Sequence, residues 1–460
     1  MAPKFGTSGL RGLVSELTDD LCARYARAFL QVCAPADTVM IARDLRPSSE
    51  RIAAAVASGA AGLGVRVIDC GEVPTPALAL AALGRGVPSV MVTGSHIPAD
   101  RNGLKFYSPR GEITKAEEGA IGDRAARDAA SVAPGPAVTE RDETAGPRYV
   151  DRYLAYFDPG ALAGLRVGVY QHSTVAREML GDVLRGLGAE AIPLGRSDHF
   201  IPVDTEAVDP ATRQMLRGWA AAHRLDAIVS ADGDADRPLL ADAAGEVVPG
   251  DVLGTLTAMA LGADTVVTPV SSNTMVEASG AFAGVIRTRI GSPFVIAGME
   301  AAATAPCRPV GFEANGGFLL GFDVPGLPRL MTRDSFLPIF APLAAAHRRG
   351  VGLTGLIDRL PARRTAADRL ENVATVKSLA LVARLSGDAD ARGVFFAGFG
   401  PEAGVDRTDG LRVTFADGLI LHLRPSGNAP ELRCYAEAPS LDAATSALRE
   451  VLTRARAAVA

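Results

Sequence analysis

Three stretches of the chain share one layout, and that repetition limits the fold more than any other feature. Residues 38–71, TVMIARDLRPSSERIAAAVASGAAGLGVRVIDCG, read as a strand, a turn, an Ala-rich amphipathic helix and a second strand closing on glycine. The same reading fits 165–195, LRVGVYQHSTVAREMLGDVLRGLGAEAIPLG, and, less cleanly, 264–291, DTVVTPVSSNTMVEASGAFAGVIRTRIG. Each unit is followed by another short apolar run ending in a polar or glycine-rich loop: SVMVTGSH at 89–96, AIVSADGDAD at 227–236 and RPVGFEANGG at 308–317. In open α/β sheets ligands bind beyond the carboxyl ends of strands, so all three loops fall where chemistry is expected.

Composition shifts divide the remainder. The Ala-, Pro- and charge-rich stretch AARDAASVAPGPAVTERDETAGPRY at 125–149 precedes a helical pattern in VDRYLAYF, which places a boundary near 150. A second shift, LPARRTAADRLENVA at 360–374, leads into a different α/β order with strand-like LRVTFADGLILHLRP at 411–425. The expected division is 1–150, 151–252, 253–365 and 366–460, three related α/β domains and a smaller, distinct α+β domain. With 460 residues, 48% of them hydrophobic, the chain can bury large cores. A net charge of −5 makes nucleic acid or an anionic membrane surface an unsuitable main partner. Five cysteines without a C-x-x-C pair fit a reduced compartment. With no membrane span and no signal peptide read from the sequence, a cytoplasmic location is expected.

The loops carry distinct chemistry. In Asp232-Gly233-Asp234-Ala235-Asp236, carboxylates at i, i+2 and i+4 can converge on one hard cation, and Mg²⁺ is the natural choice. An EF-hand is excluded, because its sixth and twelfth positions would be Arg237 and Ala243. A solvated acidic turn is the plain alternative, against which stands the apolar strand that leads directly into the triplet. Ser95 is not in a G-x-S-x-G elbow, since Ile97 takes the last position. Beside a metal its hydroxyl could carry a phosphoryl group, while Lys105, one of four lysines in the chain, could move the proton of an incoming hydroxyl. Taken alone, a serine such as Ser95 is more commonly a helix cap or turn residue, and His96 would equally suit a hydrogen-bonded loop. Glu313 and Asn315 among glycines suit vicinal sugar hydroxyls. Arg424-Pro425-Ser426-Gly427-Asn428 can cradle a phosphate or form an ordinary turn, and GTSGLRG at 6–12 adds Arg11 as a cation.

Together, in this order from GTSGLRG to RPSGNAP, the loops resemble the α-D-phosphohexomutase superfamily, and among its members the bacterial phosphomannomutases most. The resemblance implies four domains around a central cleft. It implies Ser95 as the phosphorylated serine, Asp232, Asp234 and Asp236 as Mg²⁺ ligands together with Ser95, and Lys105 as general base. It places Arg11, His96 and Arg237 about the transferring phosphate, Glu313, Asn315, Arg289 and Ser292 about the sugar, and Arg424, Ser426, Gly427 and Asn428 about the non-reacting phosphate. The implied reaction converts mannose 6-phosphate and mannose 1-phosphate through a phosphoserine and a hexose 1,6-bisphosphate, which also serves as activator, in a monomer or homodimer. Two departures stand out: Asn315-Gly316-Gly317 replaces a common Ser-Gly-His, and Asn428-Ala429 replaces a common Thr-Glu. Glucose phosphate, glucosamine phosphate or dual specificity is the alternative within the family. A Mg²⁺-dependent sugar phosphatase is the alternative outside it, but its D-x-D pattern needs Thr or Val at 236 and leaves TGSH and RPSGNAP without a role. A silent sugar-phosphate sensor would keep the cleft without the turnover.

Overall fold

The computed structural model describes residues 3–6, 9–33, 35–128, 139–304, 306–426 and 430–459. Its described strands form four sheets, and the first three repeat one strand order. In the first, Thr38–Arg43 lies between two parallel neighbours, Arg66–Glu72 and Ser89–Val92, and Arg101–Ser108 adds antiparallel to the last. In the second, Arg166–His172 lies between Glu190–Arg196 and Ala227–Ala231, with Pro238–Ala241 antiparallel beyond. In the third, Thr265–Pro269 lies between Gly284–Thr288 and Pro309–Phe312, with Phe318–Leu320 antiparallel beyond. The third parallel strand of each unit is buried along its whole length, as SVMV, AIVSA and PVGF, which is why these strands read as unbroken apolar runs. Each then reverses into its antiparallel neighbour through one of the three loops singled out above. The repeat therefore presents the same loop three times.

The C-terminal sheet is different. Its order is Arg364–Leu370, Leu432–Ala438, Ile420–Pro425, Leu411–Phe415 and Glu402–Asp406, with every neighbouring pair antiparallel. Its core, around Leu385, Leu421 and Val451, is separate from the cluster that runs through the first three sheets, from Met40 past Tyr149, Val167 and Leu253 to Phe336. Asp334 helps bind that shared core together. Its carboxylate accepts from the Tyr149 hydroxyl at 2.6 Å, from the Tyr153 hydroxyl and from the Phe336 amide.

Positions 150, 252 and 365 lie inside the helix Ala145–Tyr156, the helix Gly250–Leu261 and the strand Arg364–Leu370. Gly146-Pro147, at the end of the Ala- and Pro-rich stretch, occupies the opening turn of the first of these, where a proline forfeits no internal hydrogen bond.

His422, in the C-terminal sheet, stacks on Tyr435 with ring centroids 5.3 Å apart, and its Nε2–H donates to the Asp409 carbonyl at 2.6 Å. Burial pushes its pKa down to about 4, against the pull of that hydrogen bond. The folded state thus holds a neutral ring where the unfolded chain takes a proton near pH ~6.5. By linkage the fold keeps this contribution above that pH and loses about 3 kcal/mol of it as the pH falls toward the folded value. In urea titrations of the full chain, the stability gap between wild type and His422→Gln should narrow between neutral pH and the folded value. A gap independent of pH would show that His422 is not held neutral.

Candidate active site

Ser95 follows the strand Ser89–Val92 and is 1% exposed, with φ at 55°. A serine in the left-handed region is strained and persists only where its surroundings hold it. Here the holder is Arg46, whose guanidinium donates to the carbonyls of Ser95 at 2.8 Å, Ile97 at 2.6 Å, Pro98 at 2.7 Å and Arg101 at 2.9 Å. Arg46 in turn pairs with Asp44 at 3.1 Å, and Phe200 of the second sheet's segment covers its cation face at 4.0 Å. Asp44 also accepts from Thr93, whose hydroxyl accepts the Ser95 amide. Gly94 permits this arrangement, since a Cβ there would lie 2.4 Å from the Arg46 guanidinium carbon.

The acidic loop closes on itself, with Asp232 accepting the Asp236 and Arg237 amides at 3.2 and 3.3 Å. Its carboxylates are fully buried, and one oxygen from each lies within 4.8 Å of the others. The Ser95 hydroxyl donates to Asp232 at 2.5 Å. Lys105 reaches across from the first sheet to Asp234 at 2.5 Å and to Asp236, while Thr75 donates to Asp234 from its amide through the backbone and from its hydroxyl through the carboxylate. Lys105 thus has two carboxylates in direct contact. Burial and the like charges of Asp234 and Asp236 push Asp232 up to about 8, whereas Asp236, buried but flanked by Arg333 and Lys105, is held below the usual carboxylate range. Asp234 Oδ1 and Asp236 Oδ1 are buried without a hydrogen-bond partner. An all-oxygen donor set with two oxygens lacking hydrogen-bond partners fits a hard divalent cation.

Cations rim this cluster. Arg237 donates to His96 Nδ1 at 2.9 Å, and burial together with Arg237 and Arg11 holds the His96 ring neutral, well below its ordinary pKa. His96 is therefore an acceptor at this atom. Arg11 is itself pushed down to about 10, chiefly by its enclosure, with Asp234 pulling the other way.

The remaining loops are arranged less simply. Glu313 and Asn315 are both buried at the end of Pro309–Phe312. Asn315 Oδ1 accepts the Gly317 amide at 3.0 Å, so its side chain turns to its own loop, while the Asn315 backbone carbonyl accepts from the Thr205 hydroxyl of the second segment at 3.1 Å. Ser292, expected near the sugar, donates to Glu112 of the first segment at 2.9 Å. Arg289 donates to the Thr408 carbonyl at 3.2 Å in the C-terminal segment. Arg424 pairs with Asp409 at 3.0 Å, and that same carboxylate oxygen accepts the Ile290 amide at 2.9 Å. Gly427 and Asn428 lie outside the described residues.

Four participants were not legible as site residues: Asp44, Arg46, Thr75 and Arg333, the last pairing with Asp236 at 2.8 Å. IARDLR and LMTRDSF did carry a signal, an Arg-Asp pair at the end of an apolar strand, but arginine–aspartate pairs are common enough on surfaces to pass unnoticed.

The comparisons agree with this geometry. Models of the phosphoglucomutase/phosphomannomutase family match in order: alpha/beta/alpha domain I at 2–131, domain II at 147–245, domain III at 249–363 and the C-terminal domain at 364–454. A protein named phosphomannomutase from Sinorhizobium fredii is 48% identical, with 98% of each chain covered. Another of that name, from Salmonella muenchen, is 43% identical over 98% of this chain and 95% of its own. The crystal structure of a phosphoglucomutase/phosphomannomutase family protein from Burkholderia thailandensis shares the fold, with a TM-score of 0.79 at 24% identity, covering 98% of this chain and 97% of that one. The chain belongs to the phosphoglucomutase/phosphomannomutase family, enzymes that are intramolecular phosphotransferases.

Gly94→Ala tests the anchor of the serine loop. It should force Arg46 off its carbonyls and lower the unfolding free energy by at least about 2 kcal/mol, since buried acceptors lose their donors. An unchanged urea midpoint would mean that the loop does not depend on Arg46.

Proposed function

We propose that this chain interconverts mannose 6-phosphate and mannose 1-phosphate, with Ser95 as the phosphoryl carrier. What supports this most directly is one contact: the Ser95 hydroxyl against Asp232, at the point where a strained serine loop, three buried carboxylates and Lys105 meet. The two relatives named phosphomannomutase support mannose phosphate as the substrate.

The divisions near 150, 252 and 365 separate four lobes, each contributing one loop to a common cleft. Asp232, Asp234, Asp236 and Ser95 would hold Mg²⁺, whose charge offsets that of the phosphate. In the first half-reaction the bond between phosphorus and Ser95 Oγ breaks as the free hydroxyl of the hexose phosphate bonds to phosphorus. Lys105 exchanges the hydroxyl proton, while Arg11 and Arg237 stabilise charge on the phosphoryl oxygens and His96 keeps Arg237 in place. The resulting hexose 1,6-bisphosphate turns round and returns its other phosphate to Ser95. Glu313 and Asn315 hold the sugar hydroxyls, Arg289 and Ser292 position the neighbouring loop, and Arg424 with Ser426, Gly427 and Asn428 holds the phosphate that is not reacting. Hexose phosphates, in a reduced cytoplasm and without nucleic acid or membrane, complete the reading, with a monomer or homodimer as the working unit.

Phosphorus NMR of the protein with mannose 1-phosphate, Mg²⁺ and a trace of hexose 1,6-bisphosphate tests it. Mannose 6-phosphate should grow in without free phosphate, and a parallel run with glucose 1-phosphate ranks the sugars. Free phosphate in place of the 6-phosphate would identify a phosphatase and end this proposal. Ser95→Ala should abolish turnover with circular dichroism unchanged, and full activity in that variant would remove Ser95 as carrier. Arg424→Ala should mainly raise KM, and an unchanged KM would count against its phosphate role.

A further inference from the structure

Gly317 needs explaining, because its φ is not among the positive values that favour glycine, in contrast to Gly316 at 87°. The constraint is space. A Cβ at 317 would lie 2.9 and 3.0 Å from Cδ and Cγ of Arg333 and 3.1 Å from the Asp236 carbonyl. Arg333 belongs to the strand Leu330–Asp334, which pairs with Phe318–Leu320 so that Phe318 faces Asp334. Its neighbour Asp334 is directed to the tyrosines of the shared core, and successive side chains of a strand alternate faces, so Arg333 is turned over the sugar loop. Its guanidinium is 3% exposed and spans two loops, with Asp236 at 2.8 Å and Glu313 at 3.6 Å. One planar fork thus joins the acidic loop of the second segment to the sugar loop of the third.

We propose that Arg333 is a positioning residue for the mutase reaction, orienting Glu313 toward the sugar while steadying Asp236, and that position 317 is glycine so that the arginine can lie there. This rests on the proposed function for the roles of Glu313 and Asp236. The arginine stem takes the room that a side chain at 317 would fill, so glycine at 317 and Arg333 are two sides of one arrangement. Lysine would not be equivalent, because its ammonium lacks the planar fork that directs separate N–H groups at Asp236 and Glu313.

A double-mutant cycle on the full chain decides the matter, using Gly317→Ala, Arg333→Ala and both together. KM and kcat for mannose 1-phosphate would be measured with Mg²⁺, the Kd of mannose 1-phosphate by calorimetry, and folding by circular dichroism. Each single substitution should raise KM and Kd by about tenfold or more, with a smaller change in kcat. The double variant should lie within about twofold of Arg333→Ala, because alanine at 317 acts by displacing an arginine stem that is no longer present. Should Arg333→Ala fail to fold, Arg333→Ser, which likewise lacks the Cγ–Cδ stem, replaces it in the same cycle, with the same expected non-additivity.

Losses that multiply in the double variant, or melting temperatures that fall while KM and Kd stay put, would overturn the positioning role even with wild type fully active. A wild-type protein that neither binds nor converts mannose 1-phosphate would defeat the functional reading, and the positioning role with it.

Discussion

Three carboxylates buried on one five-residue loop cannot stand alone in a protein interior. Removing each from water costs several kcal/mol and their mutual repulsion adds to that. The compensation for Asp232, Asp234 and Asp236 comes from outside their own segment: Lys105 and Thr75 from the first, Arg333 from the third. The acidic loop therefore takes its geometry only when the first three lobes are packed together. An apolar replacement of such a cluster would ordinarily be at least as stable, so its presence is evidence of function, and the unpartnered Oδ1 atoms point to a cation as the missing member.

The scaffold makes that convergence possible by repetition. Three times a buried parallel strand ends and reverses into an antiparallel neighbour, and three times the reversal carries polar groups: Ser95, the three carboxylates, and Glu313 with Asn315. The strained serine depends on a buried arginine. Arg46 satisfies four carbonyls of the loop, and so converts a flexible Gly/Pro segment into a rigid support for one hydroxyl. Asp409 does comparable work at the other end, where a single carboxylate oxygen meets both Arg424 and the backbone of the sugar-side loop. That contact joins the C-terminal lobe, which has a core of its own, to the other three.

Much of this was readable in the chain, for definite reasons. The strand–helix–strand units declared themselves because apolar periodicity is local, and a buried parallel strand such as SVMV needs no partner to be recognised. The acidic loop was legible because alternate carboxylates after such a strand have few other uses. Ser95 and Lys105 became convincing only through the order of all four loops. Local composition does not fix where a helix starts: Gly146-Pro147, within the Ala- and Pro-rich stretch, opens one.

The sequence by itself determined the repeated unit, the distinct last lobe and the residue types available at each strand end. Tertiary structure alone decided which of these meet. Ser292 turned to Glu112, and Arg289 to Thr408, although both had been expected at the sugar. Arg46, Thr75 and Arg333, unremarkable in sequence, came into the centre of the site. The reason is physical. Periodicity records which face of an element is buried, at separations of two to four residues, whereas Ser95 and Asp232 are brought together by the packing of separate lobes, and no local pattern records that.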